Sequence, residues 1–396
     1  MNLHNISKVY FIGIGGIGMS AIARYFNKMG KCVSGYDKTS TALTDELISE
    51  GIKIHFDDNL ELVPQEVRNL ANKDNTLIIY TPAIPKGHSE LNFFNGNNYN
   101  VVKRSQVLGV LTEGNKTIAV AGTHGKTTTS SIIAHILKHS GKNCAAFLGG
   151  ISKNYNSNFI LPDKAGEEIL NVVEADEYDR SFLQLFPQYA IITSMDADHL
   201  DIYGSEKEMV KSYNDFAKQV KEDGMLIYKK GLPVETISAK TKTYSITSTA
   251  DFYTSDISIK NYQYCFDIVA EGKKMDGFTL GIPGRHNVEN AVAAIAVALE
   301  VGVSYEQIKA ALQSYTGVKR RFDIQLKNNN TVFIDDYAHH PEELRAAISS
   351  VKELYHDKKI TGIFQPHLFS RTRDFANEFA ESLSPLDEIA ARNSSG

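Results

Sequence analysis

One stretch, Val120-Ala-Gly-Thr-His-Gly-Lys-Thr-Thr-Thr129, limits what this chain can fold into. The apolar run Thr117–Ala121 before it predicts a buried strand. Ile132, Ile133, Ile136 and Leu137 after it recur at helical spacing and predict an amphipathic helix. Strand, glycine turn and helix in succession present the free N–H groups of a helix N-terminus to an anion. Gly122 and Gly125 let the backbone approach that anion closely. Lys126 supplies a point charge for outer phosphates, and Thr127 a hydroxyl for Mg²⁺. Val120 stands where the longer pattern of such loops has glycine, so this is a shortened version. The competing reading is a chance Gly-Lys-Thr in a surface turn.

A second glycine turn lies near the N-terminus. The strand Lys8–Ile14 runs into Gly13-Ile-Gly-Gly-Ile-Gly18, and a helix follows with Met19, Ile22, Ala23, Phe26 and Met29 on one face. The strand Cys32–Tyr36 ends at Asp37, about 20 residues beyond the glycines, where such units hold a ribose hydroxyl. Taken alone, the pattern reports a diphosphate at a helix N-terminus. A redox dinucleotide, another nucleotide and a purely structural turn all fit it. Strands at Ile52–His55 and Thr76–Tyr80 follow, the latter entering the proline-stiffened loop Thr81–Pro85.

The middle of the chain alternates strands with polar turns. Ile169–Val173 leads into Glu174-Ala-Asp-Glu-Tyr-Asp179, four acids in six residues. That run is either a solvated turn or contains a Mg²⁺ ligand. Tyr189–Thr193 leads into Asp196-Ala-Asp-His199. His199 is a candidate for metal or phosphate contact, against a structural or exposed histidine. Residues 205–220 read as a helix, Met225–Tyr228 as a strand, and 242–282 as a small β layer. Gly284-Arg-His286-Asn-Val-Glu-Asn290 opens another helix. Capping explains Asn287, whereas Asn290, one turn in, is free to contact a base edge. Past the basic run Lys319-Arg-Arg321, itself readable as a solvated linker, two strands end at Asp335-Asp336-Tyr337-Ala-His339-His340 and at Gln365-Pro-His…Ser-Arg371-Thr-Arg373. The tail from Ala391 carries no element.

Composition excludes several classes. The 396 residues suggest two to three domains, and 42% hydrophobic with 22% charged residues is ordinary for a soluble protein. A net charge of −5 gives no case for nucleic-acid or membrane binding. Cys32, Cys144 and Cys265 lie far apart, which suits a reducing compartment rather than disulfides or zinc. No signal peptide or membrane span is predicted, and a cytoplasmic location is expected.

Together and in this order, these motifs resemble the Mur ligase family, over nearly the whole chain from Gly13 to Arg373. The resemblance implies an α/β fold of three units. These are a Rossmann-like domain over 1–105 that binds a UDP-sugar, a central P-loop ATPase domain over 106–317, and a partial Rossmann-like domain over 318–396 that brings in an amino acid. It implies ATP-dependent amide formation between L-alanine and UDP-N-acetylmuramate, with Mg²⁺ as cofactor, in peptidoglycan synthesis; a monomer or homodimer is expected. Implied ATP contacts are Gly122, Thr123, His124, Gly125, Lys126, Thr127, Thr128, His286, Asn290, Arg321 and Asp336. Implied UDP-sugar contacts are Gly15, Gly16, Ile17, Gly18, Asp37, Thr81 and Ala83. Tyr337, His339, Arg371 and Arg373 would hold the amino acid. Thr127, Glu174 and His199 would hold metal, and Lys126, His199 and Arg371 would act in catalysis.

Two departures qualify the resemblance. Leu368, beside His367, stands where many members have arginine. The family's third domain is also about twice as long as the part present, with no apolar strand expected after Ile389. The chain is therefore expected to be truncated, and to bind both nucleotides but turn over poorly. The rival readings are a catalytically incomplete nucleotide-binding fragment and a nicotinamide-dependent dehydrogenase.

Overall fold

The structure is a computed structural model that describes residues 3, 5–164, 167–366 and 369–391. The first five strands are β1 (Lys8–Ile12), β2 (Cys32–Tyr36), β3 (Lys53–His55), β4 (Thr76–Tyr80) and β5 (Asn100–Lys103). They form one parallel sheet in the order β3-β2-β1-β4-β5. Direction reverses beside β1, the point at which open α/β sheets take their ligands. The Gly13–Gly18 turn leaves β1 there, and Thr81 follows β4 on the next strand over.

The central strands are β6 (Lys116–Ala121), β7 (Cys144–Ser152), β8 (Ser157–Ile160), β9 (Leu170–Glu174), β10 (Tyr189–Ile192), β11 (Met225–Lys229), β12 (Lys240–Ser245), β13 (Phe252–Lys260), β14 (Gln263–Ala270) and β15 (Lys273–Leu280). All ten lie in one sheet, in the order β15-β14-β13-β12-β11-β10-β6-β9-β7-β8. The small β layer expected over 242–282 is thus the antiparallel wing of the main sheet. Its register places Glu174 beside Val120, one strand from the start of the phosphate loop.

The helix Lys126–His139 is not amphipathic as its apolar spacing predicted. Every residue from Thr127 to Leu137 is buried. The sheet covers one face, and the helices Arg285–Glu300 and Tyr305–Ser314 cover the other. Its small polar residues are therefore interior: Ser130 donates to the Thr127 carbonyl at 3.1 Å, in-helix bonding that lets a hydroxyl go without water.

Two cores matter to the site. One lies on the helix side of the central sheet and joins Ile118, Val120 and Ile133 to Val292 and Ile295. The other is continuous across the first and central sheets: Val9, Phe11, Ile22 and Phe26 pack with Ala119, Phe147, Phe159 and Ile192. Tyr25 meets Phe147 and Phe159 at centroid distances of 5.8 and 5.9 Å.

The C-terminal unit has β16 (Asp323–Lys327) antiparallel to β17 (Val332–Asp335), and β18 (Thr361–Phe364) parallel to β19 (Glu388–Ala391). The last strand corrects the reading that no element follows Ile389: Ile389 pairs with Gly362 and Ala391 with Phe364. Pairing against an existing strand gave Glu388–Ala391 a structure its short local pattern did not announce. Among the described residues, no helix is long and apolar enough to cross a membrane, and all three cysteines are free.

Candidate active site

The phosphate loop leaves β6 at Gly122 and enters its helix at Lys126, with Gly125 at φ +82° as the helix N-cap. A side chain at Gly125 would put its Cβ 2.5 Å from Asn290 Oδ1. Only glycine satisfies both the backbone angle and the space. Lys126 does not project above the loop. Its ammonium donates to the Gly122 carbonyl at 2.6 Å, the Thr123 carbonyl at 3.2 Å and Glu177 Oε1 at 2.8 Å. Burial works against that charge, but Glu177, Glu174 and Asp176 outweigh it and hold the pKa above the ordinary lysine value.

Thr127 Oγ1 donates to Glu174 Oε2 at 2.9 Å, and the Gly149 N–H donates to the same oxygen at 3.0 Å. A hydroxyl and a carboxylate together make a hard oxygen donor pair, the chemistry that suits Mg²⁺. Among the described residues, no group of three His, Cys, Asp or Glu side chains is arranged to hold a metal ion by itself. A cation held at this pair would complete its shell with phosphate oxygens and water, as Mg²⁺ commonly does.

A cleft of about 320 Å³ opens beside the loop, between the central and C-terminal units. His124, Gly125, Thr128, His286, Asn290, Arg321 and Asp336, all expected nucleotide contacts, line it. Asn290 is not free as expected. It is buried, its Oδ1 accepts from Thr129 Oγ1 at 3.2 Å, and its Nδ2 faces Asn287 Oδ1 at 3.4 Å. Asp336 likewise accepts from the Phe322 and Ala338 N–H groups, both at 2.7 Å. Burial pushes the His286 imidazole down to about 4, so it is neutral at pH 7.

Glu343 closes this cleft, and the sequence reading missed it. His124 Nδ1 lies 3.4 Å from its Oε1, Arg321 Nη1 3.7 Å from the same oxygen, and the His339 N–H donates to its Oε2 at 3.0 Å. Burial opposes the charge, yet the His124 bond, His339 and Arg321 together hold the carboxyl well below the usual range. The sole signal in the sequence was Pro341-Glu-Glu343, which reads as acids favoured in a first helical turn.

His199, at φ +51°, sits with its ring edge on Tyr178, 5.2 Å between centroids, and its Nε2 3.7 Å from Asp198 Oδ2. The structure therefore places it with Asp198, not in contact with Thr127 or Glu174. Arg371 crosses from the C-terminal unit and donates through Nη2 to both oxygens of buried Asp198, at 2.9 and 3.1 Å. Tyr337 and His339 pack together at 5.2 Å, with the Arg320 guanidinium 4.7 Å over the Tyr337 ring. Arg373 is exposed. His367 and Leu368 lie outside the described residues.

A second cleft, of about 240 Å³, runs from Gly16, Ile17, Gly18 and Thr81 to Phe147, Gly149, Glu174 and Asp176. Gly15 and Asp37 stand behind it: the Gly15 N–H donates to Asp37 Oδ2 at 2.7 Å, so that carboxylate braces the glycine turn. Ala83 is exposed and does not line it. Glu174 belongs to this wall and also accepts from Thr127, so one carboxylate joins this cleft to the phosphate loop.

A fold of three successive units, with a glycine turn on the first and a phosphate loop on the second, defines a class of ATP-using ligases, and sequence comparison agrees. Residues 8–116 match the profile described as Mur ligase family, catalytic domain; 120–298 match Mur ligase middle domain; 320–393 match Mur ligase, glutamate ligase domain. The chain belongs to the Mur ligase family. It is 51% identical over 389 residues to the UDP-N-acetylmuramate–L-alanine ligase of Flavobacterium psychrophilum, covering 98% of this chain and 84% of that protein. It is 50% identical over 392 residues to the protein of that name from Parabacteroides distasonis, with coverage of 98% and 84%. Among solved structures, UDP-N-acetylmuramate-alanine ligase from Thermotoga maritima matches with a TM-score of 0.83 at 29% identity, over 97% of this chain and 84% of that one.

Proposed function

We propose that this chain is an ATP-dependent carbon–nitrogen ligase that joins L-alanine to the lactyl carboxylate of UDP-N-acetylmuramate, in peptidoglycan precursor synthesis in the cytoplasm. The identity of about one half to relatives of that name, over 98% of the chain, supports the substrates. The observation that carries the chemistry is Glu174, shared between the sugar cleft and the phosphate loop. Phosphoryl transfer to a carboxylate requires the two reactants at such a junction.

In this reading, residues 1–105 hold the UDP-sugar, 106–317 hold ATP and 318–396 bring in alanine. A carboxylate is a poor acyl donor because oxide is a poor leaving group. Transfer of the γ-phosphoryl group to the lactyl carboxylate gives an acyl phosphate and ADP. The alanine amine then attacks the acyl carbon and gives up a proton, and the acyl C–O bond breaks with its electron pair leaving on inorganic phosphate. Both reactants of the first step are anions, so positive charge must lie between them. Lys126 supplies part of it. Mg²⁺, held at Thr127 and Glu174 with His199 available to a second ion, would screen the phosphates. His286 and Asn290 face the base, and Arg321 and Asp336 the ribose side of the nucleotide. Arg371 and Arg373, with Tyr337 and His339, receive the amino acid.

The test measures ADP and phosphate release with UDP-N-acetylmuramate, ATP and, in turn, L-alanine, glycine, L-serine and L-glutamate. Release that depends on the UDP-sugar and is fastest with L-alanine is expected. ATP turnover indifferent to the UDP-sugar, or preference for L-glutamate, would refute the reading.

A further inference from the structure

The acidic turn after β9 places its carboxylates on two different tasks. Glu174 and Glu177 hold Thr127 and Lys126 of the phosphate loop. Asp176 and Asp179 face the other way, toward the start of the helix Arg104–Thr112. Lys103 Nζ lies 2.7 Å from Asp179 Oδ2, and Arg104 Nη2 lies 2.8 Å from Asp176 Oδ2. Asp179 and Arg180 both adopt left-handed backbone, at φ +52° and +53°. Non-glycine residues take that conformation at a cost, so the surrounding contacts impose this turn.

Arg104 is part of the sugar cleft. It lines that space with Gly16, Ile17, Gly18 and Glu174, and its side chain is 20% exposed. Its guanidinium lies across the first turn of the helix Ile17–Lys28: a Cβ on Gly18 would stand 2.6 Å from Arg104 Nη1. Gly16, the N-cap of that helix, offers no side-chain cap to its N–H groups. A guanidinium and uncapped N–H groups therefore bound the same end of the cleft.

We propose that Arg104 binds the diphosphate of the nucleotide sugar and that Asp176 positions it there. This rests on the function proposed above. Arginine presents five N–H donors in a rigid fork. With Nη2 fixed by Asp176, the Nη1 edge stays over the Gly18 turn and can donate to a phosphate oxygen that also accepts from the helix N-terminus. Lysine in place of Arg104 keeps the charge but cannot serve carboxylate and phosphate in one plane. A side chain at position 18 would displace the guanidinium from this place.

The experiment is titration calorimetry on the full chain with UDP-N-acetylmuramate, UDP and UMP, and separately with a non-hydrolysable ATP analogue. Arg104→Gln is expected to weaken UDP-N-acetylmuramate and UDP roughly 10- to 100-fold, the loss of one charge-assisted bond. It should reduce the preference for UDP over UMP and leave the ATP analogue within about twofold. Arg104→Lys should recover only part of the loss. Asp176→Asn should raise KM for the UDP-sugar by a larger factor than it lowers kcat. Native UDP affinity in Arg104→Gln, or equal loss of UDP, UMP and ATP analogue, would overturn the assignment. If Arg104→Gln does not fold, undiminished UDP-over-UMP preference in Arg104→Lys together with unchanged KM in Asp176→Asn would overturn it. Failure of the native chain to bind UDP-N-acetylmuramate at all would refute the proposed function instead.

Discussion

Lys126 shows how one buried cation is committed before any substrate arrives. It is bound to two loop carbonyls and to Glu177, whose side chain is 3% exposed. Lys126→Ala is expected to lower turnover by on the order of 10²-fold or more, while calorimetry finds UDP-sugar affinity within about twofold. The same change strands Glu177, so the melting temperature should also fall. Lys126→Met with Glu177→Gln should restore melting but not turnover. If turnover returns, Lys126 serves stability alone. Histidines set a second expectation. Burial lowers both His286 and His135 to about 4 from 6.5. Between those values the unfolded chain binds more protons than the folded one, so stability falls as pH drops from 6.5 toward 4. His286→Gln should flatten that slope in melting curves taken across the window, and an unchanged slope would place the acid sensitivity elsewhere. The phosphate loop was legible in sequence because its residues are consecutive. Glu343 and Asp198 were not, because His124 and Arg371, which tie them to the site, lie 219 and 173 residues away. No local pattern records such a pairing.

At the scale of elements, β9 delivers Glu174 to the phosphate loop by register alone. Glu174→Gln keeps the shape but removes the charge a hard cation prefers, so the Mg²⁺ concentration for half-maximal activity should rise several-fold. His199→Ala should shift the titration at higher Mg²⁺ if it serves a second ion. Overlapping Mg²⁺ curves for native and both variants would mean that these groups only brace the turns. Most parallel strands could be read from the sequence, because doubly buried strands are continuous apolar runs. Lys8–Ile12, Thr76–Tyr80 and Met225–Lys229 are such runs. The strand Cys144–Ser152 escaped notice because Gly149 and Gly150 interrupt it. Those glycines let Glu174 and Val318 approach, since a Cβ at either would come within 2.5 Å of them. The amphipathic prediction for Lys126–His139 failed for a related reason. The helix that covers its far face comes from more than 140 residues later in the chain.

At the scale of the whole molecule, the first and central units share one apolar core, while the C-terminal unit joins the other core through Phe322, Leu354 and Tyr355 and adds several ion pairs to the central unit. Arg371–Asp198 is the most buried of those ion pairs, with side chains 9% and 11% exposed. Removing one partner of such a pair costs about 3–5 kcal/mol where the other stays buried and charged. Arg371→Ala should therefore loosen the C-terminal unit, with faster hydrogen exchange over residues 336–345 and little change before residue 300. Alanine-dependent turnover should fall while affinity for the ATP analogue is kept. Uniform exchange across the chain would contradict this division. The division could not be read from the motifs, because apolar residues facing a neighbouring domain look the same as those facing their own sheet. Val9, Phe11 and Phe147 sit in a single core. Asn158 adds a polar tie, donating from Nδ2 to the Ile17 carbonyl at 2.6 Å and to Ser20 Oγ at 2.9 Å. The cleft at Gly16 and the phosphate loop are therefore anchored to one apolar core, and the span between them is set by its packing. A two-headed inhibitor, one head for each cleft, would meet a fixed gauge. With a rigid linker of the right length its second head would bind at high effective concentration, and with a linker one or two atoms too short most of that advantage would vanish.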